Sequence, residues 1–433
     1  MVGTATKATQ GIPYFTPAQE PPAGTPTDVA TAPTLFQPLR IRDVELANRL
    51  AVSPMCMYSA QDGHLTDFHL VHLGQFALRG AGLTIVEATA VEPRGRISPE
   101  DSGLWSDSQI EPLKRVVDFV HAQNHKIGIQ LAHAGRKAST LALWHLKPGT
   151  RCLATADQGG WPDDVVAPSA IPFAAEGGWP EPRALTLDEV EGVVRAFADA
   201  ARRAVAAGID VVEIHAAHGY LLTEFLSPLT NRRTDRYGGS FENRIRLAVE
   251  VIRAVRAVIP AGMPLFVRIS ATEWMEHGHE TGQRSWDLEE SIRFAKRLPE
   301  LGVDLLDVSS GGNQPDQRIE VHPYYQVSLA GKIRDALRAE GKDMLIGAVG
   351  MISEAEMARS IVQVGEGVKG EEKKDRETVE VDEEHGQKTQ ADLVFVGRQF
   401  LREPNFVLKI AEVLGVPVKW PNQYLYGAPR RKL

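Results

Sequence analysis

Residues 188–216 read D-E-V-E-G-V-V-R-A-F-A-D-A-A-R-R-A-V-A-A-G-I-D-V-V-E-I-H-A. The spacing of apolar residues predicts an amphipathic helix over 188–207, with Asp188 where an N-cap is expected. The short β-rich run V-V-E-I-H-A at 211–216 predicts a buried strand. This helix-then-strand unit repeats along the chain. The other strand-like runs are N-R-L-A-V-S-P-M (48–55), L-T-I-V-E-A-T-A (83–90), K-I-G-I-Q-L-A-H (126–133) and L-F-V-R-I-S (265–270). L-L-D-V-S-S (305–310), L-I-G-A-V-G (345–350) and L-V-F-V-G-R (393–398) complete the set. Amphipathic segments at 240–258, with Ser240 as N-cap, at 287–300 and at 325–340 lie between them. Alternating strands and helices require a parallel sheet, and eight such units predict an α/β fold, a single closed (β/α)8 TIM barrel.

The barrel says where to look for chemistry, because active sites of this fold lie at the C-terminal ends of the strands. Those ends carry Cys56 and Tyr58, Glu87 and Ala88, Gln130 and His133, His215 and His218, Arg268, Gly350, and Gly397 with Arg398. Arg268 inside L-F-V-R-I-S needs a partner: a carboxylate such as Glu87, or an anionic or electron-rich ligand. Gly397-Arg398 beside Gly350 and a candidate N-cap Ser353 suits a phosphate clasp. Gln130 can donate and accept at once, as the edge of a heterocycle requires. The pair in E-I-H-A-A-H-G-Y (213–220) admits three readings: metal ligands, satisfied core histidines, or two N–H donors aimed at one oxygen with Tyr220 placed to give a proton. A metal-dependent barrel hydrolase would use the first of these.

Composition narrows the field. The chain has 433 residues, 43% hydrophobic and 24% charged, with net charge −8 and two cysteines. The acidic balance and lack of a basic cluster argue against a nucleic-acid partner, and no apolar run reaches bilayer length. Two cysteines exclude a disulfide framework and a four-thiolate cluster, and point to a reducing, cytoplasmic setting. The C-terminal Arg431-Lys432-Leu433 is similar to the peroxisomal Ser-Lys-Leu address, a weaker alternative because its first residue differs. Residues 1–33, rich in Pro, Thr and Ala, predict a flexible leader before the barrel domain at 34–415, and 416–433 form a C-terminal tail. Two insertions interrupt the barrel. Residues 138–182, with Trp144, Trp161 and Trp179, predict a lid on the catalytic face after strand 3. Residues 366–388, before strand 8, carry nine acids and five Lys/Arg and predict a solvated loop. Gly365 to Gly370 matches G-x-G-x-x-G, yet it follows a helix and precedes a charge run, the wrong context for a dinucleotide fingerprint.

Over 34–410 the chain resembles the old yellow enzyme family of FMN-dependent ene-reductases. The resemblance rests on S-P-M-C-M-Y (53–58), I-Q-L-A-H-A-G-R-K (129–137), the long run from Glu213 to Arg244, A-V-G-M-I (348–352) and F-V-G-R (395–398). The cysteine in the first motif and the H-A-A-H pair resemble those of the bacterial, thermophilic-type subgroup. The resemblance implies noncovalent FMN held by Ser53, Pro54, Met55, Cys56, Ala88, Gln130, Arg268, Gly350, Gly397 and Arg398, with Cys56 tuning its potential. It implies that His215 and His218 bind a carbonyl or nitro oxygen of a small-molecule activated alkene, that Tyr58 helps position it, and that Tyr220 protonates the α-carbon. NADPH is the implied electron donor. A flavin-binding protein without turnover is the remaining alternative, disfavoured by the intact Tyr220 and histidine pair. Relatives send a C-terminal arginine into a neighbouring subunit of a homo-oligomer. Here Tyr426 stands at that position, and Arg430 and Arg431 follow only later.

Overall fold

The computed structural model describes residues 5–146, 152–174, 176–279, 282, 284–363 and 386–429. The charged insertion up to residue 385, the G-x-G-x-x-G stretch, Arg430 and Arg431 lie outside the described residues. Eight strands, β1 (Leu50–Val52), β2 (Leu83–Ala90), β3 (Lys126–Ala132), β4 (Val211–Ala216), β5 (Leu265–Ser270), β6 (Leu305–Ser309), β7 (Leu345–Val349) and β8 (Leu393–Val396), pair in chain order. All pairings are parallel and the sheet closes on itself. The (β/α)8 barrel expected from the sequence is present. Strand β1 is shorter than the 48–55 run predicted. Pro54 has no N–H to continue the ladder, and Asn48 turns away to donate to Gly80 O and Gly24 O.

The side-chain period of two decides what faces inward. On β5, Leu265, Val267 and Ile269 pack outward against the helices, whereas Phe266 belongs to the inner cluster with Val211, Leu305 and Phe395. Arg268 and Ser270 follow Phe266 in phase. By the same alternation β4 sends Glu213 and His215 inward, β3 sends Gln130, and β6 sends Asp307 and Ser309. The lower barrel is therefore apolar and its C-terminal mouth polar. A short hairpin, Leu39–Ile41 with Val44–Leu46, closes the apolar end.

Helix Leu187–Ala206 starts one turn-setting residue earlier than predicted. Thr186, not Asp188, is the N-cap: its hydroxyl accepts from Glu189 N–H while the Glu189 carboxylate accepts from Thr186 N–H. The reciprocal pair satisfies two orphan donors at once, which Asp188 alone would not do. Ser240 does cap Phe241–Arg244 as expected. Ser353 caps nothing; the helix after β7 is Ala355–Val362, entered from Glu354.

The segment expected as a leader makes contacts at the base of the barrel. Within it, Thr9 Oγ1 donates to Ala122 O, Gly24 N–H to Lys419 O and Thr27 N–H to Pro417 O, and Ala18 O accepts from Asn422. Residues 5–33 and the C-terminal segment thus run together below the strand N-termini. They are held by backbone and amide hydrogen bonds, which hydrophobic periodicity cannot register. Among the described residues no helix is long and apolar enough to cross a membrane.

Candidate active site

The strand ends bring Gln130, His215, His218 and Arg268 to one mouth, with Arg398 exposed at its rim, whereas Glu87 faces His69 and His133 faces Glu92. Arg268 is the hub. It stands opposite Asp307 across β5–β6 and opposite His215 across β4–β5. Its Nε lies 3.0 Å from Asp307 Oδ2, and its Nη2 donates to Ser53 Oγ at 2.9 Å. The carboxylate partner is therefore Asp307 and not Glu87. Glu87 sits at the register shift of β2, where it accepts from Met57 N–H at 3.1 Å and faces His69. That contact ties the loop after β1, with Cys56 and Tyr58, to β2 beside Ala88.

Gln130 donates to Glu213 Oε1 at 2.8 Å, its register partner on β4, so its carbonyl and second N–H remain available. Burial, aided by Asp307, pushes the Glu213 carboxyl up, and burial pushes Asp307 up against the pull of Arg268. Two carboxyls thus share one guanidinium out of water. Arg268 Nε, both Asp307 oxygens and Glu213 Oε2 lack a well-aligned hydrogen bond. These are orphaned polar groups of the kind a polar heterocycle would satisfy.

His215 and His218 meet edge to face, centroids 5.2 Å apart at 83°, and Tyr220 packs on His215 at 5.1 Å and 79°. Left-handed backbone at His218 (φ +63) and Gly219 (φ +72) turns the chain back so that all three side chains converge. A Cβ at Gly219 would lie 2.3 Å from Gly312 O, so that turn admits no side chain. Burial, helped in His215 by His218 and in both by Arg268 and Lys137, holds both imidazoles well below the usual histidine range. Both are neutral. Ala217 N–H donates to His215 Nδ1 at 3.3 Å, which leaves the ring proton on Nε2. His218 Nε2 lies 2.7 Å from Ser309 Oγ. Burial pushes the Tyr220 phenol well up, with Cys56, Tyr58 and Asp101 adding to it. Tyr58 is likewise raised, and its ring meets the edge of Trp144 from the insertion at 5.6 Å.

Gly350 (φ +119) ends β7, and a Cβ there would fall 2.5 Å from Gln326 Nε2. Gln326 in turn accepts from Ser310 Oγ and donates to Val349 O. A Cβ added at Gly397 would lie 3.6 Å from Met55 Sδ, ordinary contact, and the Arg398 side chain is exposed. Asp307, Ser309, Gln326 and Lys137 were not singled out in the sequence. The D-V-S-S run held the first two, but only the ladder register places them against Arg268 and His218. Lys137 Nζ donates to His218 O and Gly312 O, both at 2.9 Å, pinning the turn. Among the described residues no group of three His, Cys, Asp or Glu is placed to hold a metal ion.

A (β/α)8 barrel with a buried cation, neutral imidazole donors and a phenol at its mouth is the framework of a barrel flavoenzyme. Residues 34–368 match the NADH:flavin oxidoreductase / NADH oxidase family, and the chain belongs to it. An NADH:flavin oxidoreductase of Gibberella zeae is 47% identical over 422 residues, 96% of this chain and 94% of that protein. A NADPH dehydrogenase of Bacillus subtilis is 43% identical over 395 residues, covering 91% and 98%. Among solved structures, morphinone reductase superposes with a TM-score of 0.65 at 27% identity, covering 90% of this chain and 92% of that one. The chain is an FMN-dependent NAD(P)H oxidoreductase of the old yellow enzyme type.

Proposed function

We propose that the barrel mouth binds an α,β-unsaturated carbonyl or nitro compound with its oxygen between His215 and His218, and that Tyr220 protonates the α-carbon. The observation that carries this reading is the neutral, edge-to-face histidine pair with Tyr220 packed on His215. Neutral imidazoles serve as N–H donors to an oxygen that gains negative charge, and a positioned donor of this kind is typically worth about 3–4 kcal/mol. His215 would donate through Nε2. His218 would donate through Nδ1 if Ser309 gives its hydroxyl proton to Nε2. Tyr58, steadied by Trp144, would border the substrate. A solved morphinone reductase holds tetrahydroNAD; by extension the nicotinamide would use this same mouth, before the alkene.

FMN, when bound and reduced, supplies the hydride for the β-carbon. The residues that would hold it are Ser53, Pro54, Met55, Cys56, Ala88, Gln130, Arg268, Gly350, Gly397 and Arg398. Arg268 would neutralise negative charge on the flavin ring, Gln130 would pair with the edge of the ring, and Gly350, Gly397 and Arg398 would meet the phosphate at the β7–β8 face. A cytoplasmic enzyme is the reading that fits the two free cysteines; assembly into a homo-oligomer would bring the fully exposed Tyr426 ring to a neighbour.

Two expected results test the cofactor residues. Arg268→Ala removes one member of a buried pair, which costs about 3–5 kcal/mol, and should abolish FMN retention. Adding Asp307→Asn should restore much of the thermal stability without restoring FMN. Recovery of both together would make Arg268 a purely structural residue. Burial, with Asp101 and Glu87, keeps Cys56 a neutral thiol. Cys56→Ala should therefore keep the yellow colour and shift the flavin midpoint potential, read by redox titration; an unmoved potential would leave Cys56 as packing.

A further inference from the structure

Where β2, β3 and the loop after β4 meet there is a small cavity of about 10 Å³. Its border includes Ala88, Arg96, Asp101, Ala132, Ala134 and Tyr220. That is room for about one water. Asp101 is 1% exposed. Its Oδ2 accepts from Ile97 N–H at 2.6 Å and Ser98 N–H at 3.0 Å, whereas Oδ1 has only a long contact of 3.5 Å to Ser98 Oγ. Two amides on one oxygen leave the other as the place for a proton. The Tyr220 hydroxyl makes no hydrogen bond to a described residue, and the Lys137 ammonium lies 5.2 Å from its ring. Partial burial holds this phenol well above its usual range, so giving up its proton is costly unless another arrives.

We propose that Asp101 is the proton source for Tyr220, passing its carboxyl proton to Tyr220 Oη through one water in the cavity they share as the phenol protonates the substrate. This rests on the reading of Tyr220 as the α-carbon's donor. The step balances without an added oxidant or reductant. The carbon takes the Oη proton with the enolate's electron pair. Water gives a proton to Oη and takes one from Asp101, and the resulting carboxylate regains its proton from solvent. Asp101 is a positioning residue for a proton rather than a group that touches substrate.

The groups facing Asp101 are Glu87 from β2, Cys56 and Tyr58 from the loop after β1, Arg96 from its own loop and Tyr220. From the end of β3 the cavity meets Ala132, and just beyond the strand Ala134. Burial raises the Asp101 carboxyl most, against the Ser98 amide and with Glu87 adding to it, to about 7. The acid is thus mostly protonated below neutrality and mostly ionised above it.

The experiment uses FMN-loaded, pre-reduced enzyme mixed with 2-cyclohexenone at several pH values, for wild type, Asp101→Asn, Asp101→Glu and Tyr220→Phe. Wild-type reoxidation should fall as pH rises through about 7. Asp101→Asn should be slowed about tenfold at low pH and lose this dependence, while Asp101→Glu should keep a dependence at a shifted pH. Infrared difference spectra should show a protonated-carboxyl band that titrates in wild type and is missing in Asp101→Asn. If Tyr220→Phe reoxidises at the wild-type rate, the donor reading falls and the relay with it. If Tyr220→Phe is slow but Asp101→Asn matches wild type in rate and pH profile, the relay alone is overturned. Should Asp101→Asn not fold, Asp101→Glu decides: an unmoved pH profile and band overturn the relay.

Discussion

Tyr220→Phe should retain FMN and be reduced by NADPH at close to the wild-type rate, yet be reoxidised by a cyclic enone about 10²–10⁴-fold more slowly, the usual worth of a positioned general acid. The geometry predicts this selectivity. Tyr220 enters helix Leu221–Leu226 as its N-cap, and its ring makes the His215 and Lys137 contacts. Phenylalanine keeps that ring in place and removes only the proton. Nitroalkenes give a nitronate that is stable without protonation on the enzyme, so their reduction should be much less affected. Stopped-flow traces in which both half-reactions slow equally would make Tyr220 a structural residue. Unchanged enone turnover would assign the proton to water or another group.

The second large effect is expected of His215→Ala combined with His218→Ala. Losing two donors, each worth about 3–4 kcal/mol at a developing oxyanion, should lower enone turnover by at least about 10³-fold. Affinity for a phenolic ligand should be lost with it. Flavin content should change little, because neither imidazole is bonded to Ser53, Gln130 or Arg268. Ser309→Ala should give a smaller loss of the same kind, since it frees only the His218 tautomer. Loss of flavin in parallel with turnover would mean that the pair supports the fold. Loss of a stoichiometric metal would return the histidines to the ligand reading.

The barrel was legible because each strand is a short β-rich run between amphipathic helices, and the period of two then aims Gln130, Glu213, His215 and Arg268 at one axis. Which carboxylate answers Arg268 was not legible. Glu87 and Asp307 both sit on strands, and only the ladder register places Asp307 beside the guanidinium while the β2 irregularity sends Glu87 to Met57 and His69. Ser309 and Lys137 escaped for a related reason: they act through contacts about 90 and 80 residues away in the chain. The contacts of residues 5–33 were not legible because Pro, Thr and Ala carry no apolar pattern, whereas their backbone groups find partners in 417–422. Asp101 carries no motif that singles it out in the sequence. Its burial against Ala132 and Ala134 is a tertiary property.

The central claim is that this barrel reduces a carbon–carbon double bond made electrophilic at its β-carbon by an oxygen held between His215 and His218. The most direct measurement is anaerobic turnover of 2-cyclohexenone with NADPH deuterated at its transferable position, with product analysis. The account predicts cyclohexanone carrying deuterium at the β-carbon and a solvent-derived proton at the α-carbon. An allylic alcohol labelled at the carbonyl carbon, or no consumption of NADPH by the FMN-loaded enzyme, would contradict it.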